Sequence, residues 1–375
     1  MQSLYNQQIM LYFFFQRCQK NLYIFIIHSI YNSFFINVHM SQLQTIQEIR
    51  NKLIKIDRNS NIPLLGLIHI GVIDRGSSLL QVRASTACNM KCSFCSTSAN
   101  SLNHQYNYEV ELDYLIDWIK EAIKLKNNIV NQINIDSVGE PTAYQKIAEL
   151  IKIVKSIPGI EYVTMQSNGT LLSQDKISAL ESAGLDRINF SIHSIKNDFS
   201  KYLFGSEFYN IEKILKTLEL INNSKIELNL TPVWLPGFND KDIEDIIELA
   251  KKLKCKISIQ KYEIFRYSRK EKNTKEISWF KFYRKLGELE KKFNIKLKLG
   301  PTDFKILKSK KIPLILQKGD KLKAKVIMPG WIKGEMIVQY NNRCITVFNC
   351  NNSIGDLINI KILNIKDGIY LAEKL

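Results

Sequence analysis

The sequence predicts a parallel α/β protein with a small all-β module at its C-terminus, and three observations lead there. Short β-branched runs alternate with longer amphipathic stretches from about residue 80 to 262. The gaps between successive runs hold apolar residues at helical spacing, as crossovers between parallel strands require. From about residue 318 the helical period stops and five short runs separated by turn signals take over. A 375-residue chain with 45% hydrophobic and 24% charged residues has room for two or three domains and a sizeable core, which excludes a disordered or fibrous protein. With 16 Gly and 8 Pro there is no linker-dominated stretch. Seven cysteines (Cys18, Cys88, Cys92, Cys95, Cys255, Cys344 and Cys350) are scattered apart from one close trio, which suits a reducing cytoplasm and not a secreted disulfide framework.

Taken in order, residues 1–39 stand apart: Arg17 and Lys20 are their only charges and aromatics crowd the segment. The stretch from Leu22 to Val38 is interrupted by His28, Ser29, Asn32, Ser33 and Asn37, too polar for a spanning helix, and no membrane partner is expected. Met40 is the expected natural start, with 1–39 a non-native or disordered extension, 40–79 a lead-in, and 80–304 the α/β domain. Strands are expected at Gln81–Thr86, Gln132–Ser137, Tyr162–Gln166, Arg187–Ile192, Ile226–Val233 and Lys256–Tyr262. Helices are expected at Leu112–Leu125, Tyr144–Lys155, Gln174–Ala183, Ile211–Ile221 and Asp240–Leu253, with one more around Trp279–Phe293. A basic linker at 305–317 leads to the C-terminal module at 318–375, whose strands are read at Leu322–Ile327, Met336–Gln339, Cys344–Phe348, Ile358–Leu363 and Ile369–Ala372. Five short strands in about sixty residues suit an OB-like barrel.

The net charge of +17 is local. Residues 251–275 hold ten Lys or Arg against two acids, and residues 305–375 hold thirteen against five. A generic lysine-rich surface is one explanation; concentration in the C-terminal third favours a polyanionic partner, nucleic acid first.

The chemistry concentrates in Cys88-Asn89-Met90-Lys91-Cys92-Ser93-Phe94-Cys95, which follows the first barrel-type strand. Three thiolates on one short loop suit a single metal centre. Structural zinc wants a fourth ligand, and the nearest candidates are His69 and His104. A 4Fe-4S cluster held by three cysteines leaves one iron open to an outside ligand. With Phe94 in the aromatic place, this C-x3-C-x-aromatic-C pattern resembles the hallmark of the radical S-adenosylmethionine (SAM) superfamily. The resemblance implies a partial (β/α)6 barrel whose 4Fe-4S cluster, held by Cys88, Cys92 and Cys95, binds SAM. It also implies one-electron cleavage of the sulfonium to methionine and a 5'-deoxyadenosyl radical that takes hydrogen from substrate.

Ser137-Val138-Gly139-Glu140-Pro141 falls where the superfamily carries a Gly-Gly-Glu-Pro-like motif for the SAM amino group, with Val138 replacing the first glycine. Gly139 and Glu140 are the residues carried over, and a carboxylate with exposed carbonyls suits an ammonium group. The segment also reads as a plain helix start, with Pro141 in its first turn. Ser167, Asn168 and Ser191, at the ends of the third and fourth strands, are candidates for the ribose and carboxylate of SAM. Gln260, with Tyr262, completes the mouth. His193 reads as a hydrogen-bonded loop residue, Asn239 or Asp240 as a helix N-cap, and Trp234 as core or stacking surface. Cys255, Cys344 and Cys350 read as small hydrophobes.

Residues 318–375 look like a TRAM domain, the small barrel of many RNA-modifying enzymes, on Gly319-Asp320, Gly330-Trp331 with Gly334-Glu335, and Ile354-Gly355-Asp356. Lys321, Lys323, Lys325, Lys333 and Arg343 are expected to neutralise phosphates and Trp331 to stack on a base. Residues 41–87 contain no Cys, so the likeness does not extend to a whole methylthiotransferase. Together with Gly66-Leu67-Ile68-His69-Ile70-Gly71 and Asp74-Arg75-Gly76, the arrangement is similar to archaeal radical SAM proteins with a C-terminal TRAM domain. The expected reaction is methylation or another C–H functionalisation of tRNA or rRNA, with a ferredoxin or flavodoxin as electron donor. Modification of a protein or peptide, and an iron-sulfur redox sensor that binds RNA without catalysis, are the alternatives.

Overall fold

β-Branched residues stiffen the backbone for strands, and the apolar faces between them need sheet to cover. The computed structural model describes residues 53–375; the expected extension, Met40, Cys18 and the first part of the lead-in lie outside the described residues. The chain runs through β1 (Leu53–Ile56), β2 (Gly71–Asp74), β3 (Leu79–Arg83), β4 (Asn107–Val110), α1 (Leu112–Leu125), β5 (Gln132–Asp136), a 3-10 turn at Pro141–Ala143, α2 (Ile147–Lys155) and β6 (Tyr162–Ser167). It continues through α3 (Gln174–Ser182), β7 (Arg187–Phe190), α4 (Asn197–Phe204), α5 (Ile211–Asn222), β8 (Glu227–Leu230), β9 (Val233–Trp234), α6 (Asp240–Leu253), β10 (Lys256–Ile257), β11 (Gln260–Lys261) and α7 (Trp279–Phe293). The last five strands are β12 (Lys321–Pro329), β13 (Glu335–Tyr340), β14 (Arg343–Phe348), β15 (Leu357–Asn364) and β16 (Leu371–Lys374).

The main sheet has the order β10-β8-β7-β6-β5-β3-β2. Six of its strands are parallel, and β2 joins the edge antiparallel to β3. The sheet is open, as a partial barrel. Several helix starts carry side-chain caps: Ser173, Asn210 and Ser278 accept from the backbone three residues on. Asn239 sits at the cap position of α6 but does not cap it: its amide accepts from Leu235 N and donates to the carbonyls of His193 and Val233. At the amino-terminal end of the strands Gln132 donates to the carbonyls of Phe304 and Lys305, while the Phe304 ring lies 4.6 Å from the Arg187 guanidinium. The lysine-rich segment after it runs along β2, where Ile312 N and the buried Lys126 ammonium both donate to Asp74.

The C-terminal strands close into a barrel of order β12-β13-β14-β16-β15, with β14 and β16 parallel and the other neighbours antiparallel. Its interior holds Val326, Val338, Ile345, Val347, Ile360 and Ile362. The attachment to the α/β part is made by backbone as well as side chains. Cys344 N donates to Leu65 O and Tyr370 N to Gly66 O. Gly66 has φ +107°, and a Cβ there would run into the Cys344 carbonyl. The Tyr108 hydroxyl donates to the carbonyls of Pro329 and Gly330 at 2.9 and 3.0 Å.

Two residues expected to grip RNA are built into this seam instead. Trp331 is 2% exposed, with its ring 4.3 Å from His104 and 5.7 Å from His69, so its faces are covered by protein and unavailable to a base. Arg343 is buried too, and its guanidinium donates to the carbonyls of Asn342 and Pro313. Among the described residues no helix is long and apolar enough to cross a membrane.

The seam makes a testable statement about acid. Burial, with Arg83 and His104 adding to it, pulls the His69 imidazole down to about 3. The unfolded chain therefore takes up the proton first: stability is full above pH ~6.5 and falls as pH drops from there towards the folded value, by up to about 1.4 kcal/mol per pH unit per histidine. Urea unfolding across this range should show the decline, and His69→Phe should make it shallower by one proton; an identical acid profile in the variant would contradict the assignment.

Candidate active site

Parallel strands carry all their carboxyl ends to one side, so the loops after β3, β5, β6, β7 and β8 meet at a common mouth. They enclose a cavity of about 650 Å3. Cys88, Cys92, Cys95, Phe94, Gly139, Glu140, Ser167, Asn168, Ser191 and Gln260 all line it, so every residue expected to hold the cluster or SAM is brought together.

The cysteine loop is fixed by its backbone. Lys91 N and Ser93 N donate to the carbonyls of Phe204 and Leu203 at the C-terminus of α4. Gly205 ends that helix in the left-handed region (φ +58°), and a Cβ there would run into the Lys91 carbonyl. The Asn100 amide donates to the carbonyls of Cys88 and Met90, both at 2.8 Å. Arg269 donates to the carbonyls of Cys92 and Ala99. The three thiols are free and half-buried. Cys88 Sγ accepts from Met90 N and Cys95 Sγ from Ala99 N, both at 3.4 Å. Burial pushes the Cys88 thiol up to about 12 and that of Cys92 well above its ordinary value. Iron held by these sulfurs would bring the positive charge that favours their thiolate form.

Opposite the thiols, Glu140 holds the loop after β5 to the end of β6. It is 2% exposed, and burial raises its carboxyl. Its Oε1 accepts from Thr142 N, Thr142 Oγ1 and Ser167 Oγ, and its Oε2 from Asn168 N at 2.7 Å. This carboxylate, expected to meet the SAM ammonium, accepts from four protein donors and lines the cavity wall. Gly139 is a glycine because a Cβ would strike the carbonyls of Ala87 and Thr86. The Asn168 amide is also internally engaged, donating to Asn89 and accepting from Thr170. Ser191 N donates to Ser167 O.

His193 is buried between Phe94 and Phe204, its Nδ1 accepts from Val233 N, and burial brings it down to about 3, so the ring is neutral. This matches its reading as a hydrogen-bonded loop residue. Trp234 is core, its Nε1 donating to Asp240. Sequence reasoning passed over Gln166 and Thr231, whose buried Oε1 and Oγ1 have no hydrogen-bond partner among the described residues and line the cavity. Their place at strand ends, Gln166 on the same face of β6 as Thr164, was the available signal. The three sulfurs and these unpartnered oxygens around one space fit a cluster and a polar cofactor.

Three comparisons bear on this geometry. The model for the Radical SAM superfamily matches residues 82–250. Over 343 residues the chain is 36% identical to the uncharacterized protein MJ0103 of Methanocaldococcus jannaschii, covering 84% of this chain and 79% of that one. It is 30% identical over 175 residues, 46% of its length, to a GTP 3',8-cyclase of Clostridium perfringens, and spans about half (51%) of that protein. Among solved structures, Streptococcus suis SuiB bound to S-adenosylmethionine aligns with a TM-score of 0.45 at 18% identity, over 66% of this chain and 51% of that one.

The Glu140 network yields its own test. In Glu140→Gln an amide NH2 must face donors that the carboxylate satisfied, and a buried mismatch of this kind costs about 1–3 kcal/mol. Thermal unfolding should register the loss; unchanged stability would mean that Glu140 is not the tie between β5 and β6.

Proposed function

We propose, for a chain that belongs to the radical SAM superfamily of enzymes, that it modifies RNA, tRNA or rRNA, at a carbon position, using its C-terminal barrel to hold the strand. The superfamily works with a 4Fe-4S cluster and SAM. In this reading Cys88, Cys92 and Cys95 hold the cluster, and Phe94, Gly139, Ser167, Asn168, Ser191 and Gln260, all lining the cavity, surround SAM. A cluster held there would supply the electron for reductive cleavage of SAM and so the means of taking hydrogen from a substrate carbon. The chain's own part is to hold the thiolates on a rigid loop and present a polar wall. A ferredoxin or flavodoxin in the cytoplasm is the proposed electron source.

The observation that carries the RNA reading is the outer face of β12. Lys321, Lys323 and Lys325 alternate with inward-facing residues and are all exposed, and Lys361 of β15 stands opposite Lys321. One row of like charge on a strand suits a phosphate backbone. Lys333, also exposed, sits in the turn between β12 and β13 and has its amide on the Asn103 carbonyl, eight residues beyond Cys95, so this turn lies beside the segment that follows the cysteine loop. The strand order, with the third and fifth strands parallel, supports an OB-like, TRAM-type module.

Anaerobic reconstitution with iron and sulfide, followed by SAM and a strong reductant, is expected to release 5'-deoxyadenosine, and a Cys92→Ala protein should release none. A four-sulfur tetrahedral zinc in anaerobically purified protein would end the proposal. For the substrate, total tRNA binding should weaken steeply between ~50 and ~200 mM salt, and replacing Lys321, Lys323 and Lys325 together by Gln should lower the logarithmic salt slope by roughly two to three. Flat salt dependence with 5'-deoxyadenosine still formed would redirect the search to a protein or peptide substrate.

A further inference from the structure

Four consecutive residues after β11 reach from the small barrel to the cysteine loop. The Arg266 guanidinium lies 3.4 Å from the centroid of the Phe348 ring. The Tyr267 ring is 5.8 Å from that of Trp331, and its hydroxyl donates to Glu335 at 3.3 Å. Phe348, Trp331 and Glu335 all belong to the barrel side of the seam. The next two residues turn to the cysteines. The Ser268 hydroxyl donates to Ser96 O. Arg269 N donates to Cys95 O at 2.7 Å, its Nη1 donates to Cys92 O, and its Nη2 donates to Ala99 O at 2.7 Å.

The Arg269 side chain joins two points of the loop with one planar fork, a geometry that a lysine cannot reproduce. Among the described residues it makes no ion pair with a carboxylate, unlike Arg83 on Asp136 or Arg75 on Asp367. Its positive charge is therefore directed at peptide carbonyls next to the thiols. Charge and hydrogen bonding around a cluster set its potential, and groups behind the ligands set their orientation.

We propose that Arg269 is a positioning residue of the cluster site, which locks the Cys92–Ala99 turn through its fork and favours the reduced cluster through its unpaired charge. The inference rests on the reading that Cys88, Cys92 and Cys95 hold a 4Fe-4S cluster. It also gives the small barrel a second part in the enzyme, as the anchor of the strap that delivers Arg269.

The test uses the full chain, reconstituted anaerobically, with two readouts that do not depend on turnover: the midpoint potential from a redox titration followed by electron paramagnetic resonance, and the rate of iron loss to a chelator. In Arg269→Gln the potential should move to a more negative value and iron loss should quicken by about 10–100-fold, the range known for groups behind metal ligands. Arg269→Lys keeps the charge without the fork, so its potential should return towards that of the unchanged protein while iron loss stays fast. Arg269→Gln with potential and iron loss both unchanged would overturn the proposal. Should Arg269→Gln fail to fold by circular dichroism, Arg269→Lys decides alone, and unchanged iron loss there overturns it. If the unchanged protein takes up no cluster, it is the underlying reading that fails, a result distinct from either variant outcome.

Discussion

Common strand direction is the constraint on which the rest of the molecule depends. Six strands run the same way, and each returns to the sheet only through a covering segment on its outer face. The geometry leaves one mouth, at the carboxyl ends, where loops are free of packing duties and can carry chemistry. The thiol loop, the Glu140 turn and the ends of β6 and β7 come from four separate stretches of sequence and still face one cavity. Reversing a single crossover would scatter them.

The mouth is then made rigid by polar contacts that lie behind its surface. Glu140 ties two loops, Asn100 and Arg269 bind the carbonyls of the cysteine segment, and the end of α4 receives its amides. Each is a donor–acceptor match in a partly dry environment, where an unmade bond is costly. The residues facing the cavity are thereby held in place before any ligand arrives, which lowers the ordering cost of binding.

Much of this was legible in the sequence because it rests on local pattern. The β-branched runs at Gln132 and Tyr162 became β5 and β6 at nearly the expected bounds, and α1, α6 and α7 match their periodicity. The cysteine spacing located the mouth directly. What was missed depends on distant partners. The edge strand β2 is short, with polar Asp74 buried because Lys126 and the amides of Gly76 and Ile312 meet it, and α4 (Asn197–Phe204) is only 8 residues long and starts without a side-chain cap to announce it. Trp331 and Arg343 look like RNA contacts in a basic segment; their burial follows from a seam that no local window contains. Arg269 was hidden the same way, within a basic run at 251–275 that reads as lysine-rich surface or as a contact for a polyanion.

The attachment of the small barrel has one more consequence. Its edge is hydrogen-bonded to Leu65 and Gly66, its tryptophan sits in the shared core, and the preceding connector is pinned to Asp74. A module fastened at three places cannot swing like a tethered hand. Under the proposed function, a strand held on the lysine row would meet the cavity at one set distance, and the spacing between grip and mouth would decide which part of a long ligand comes within reach.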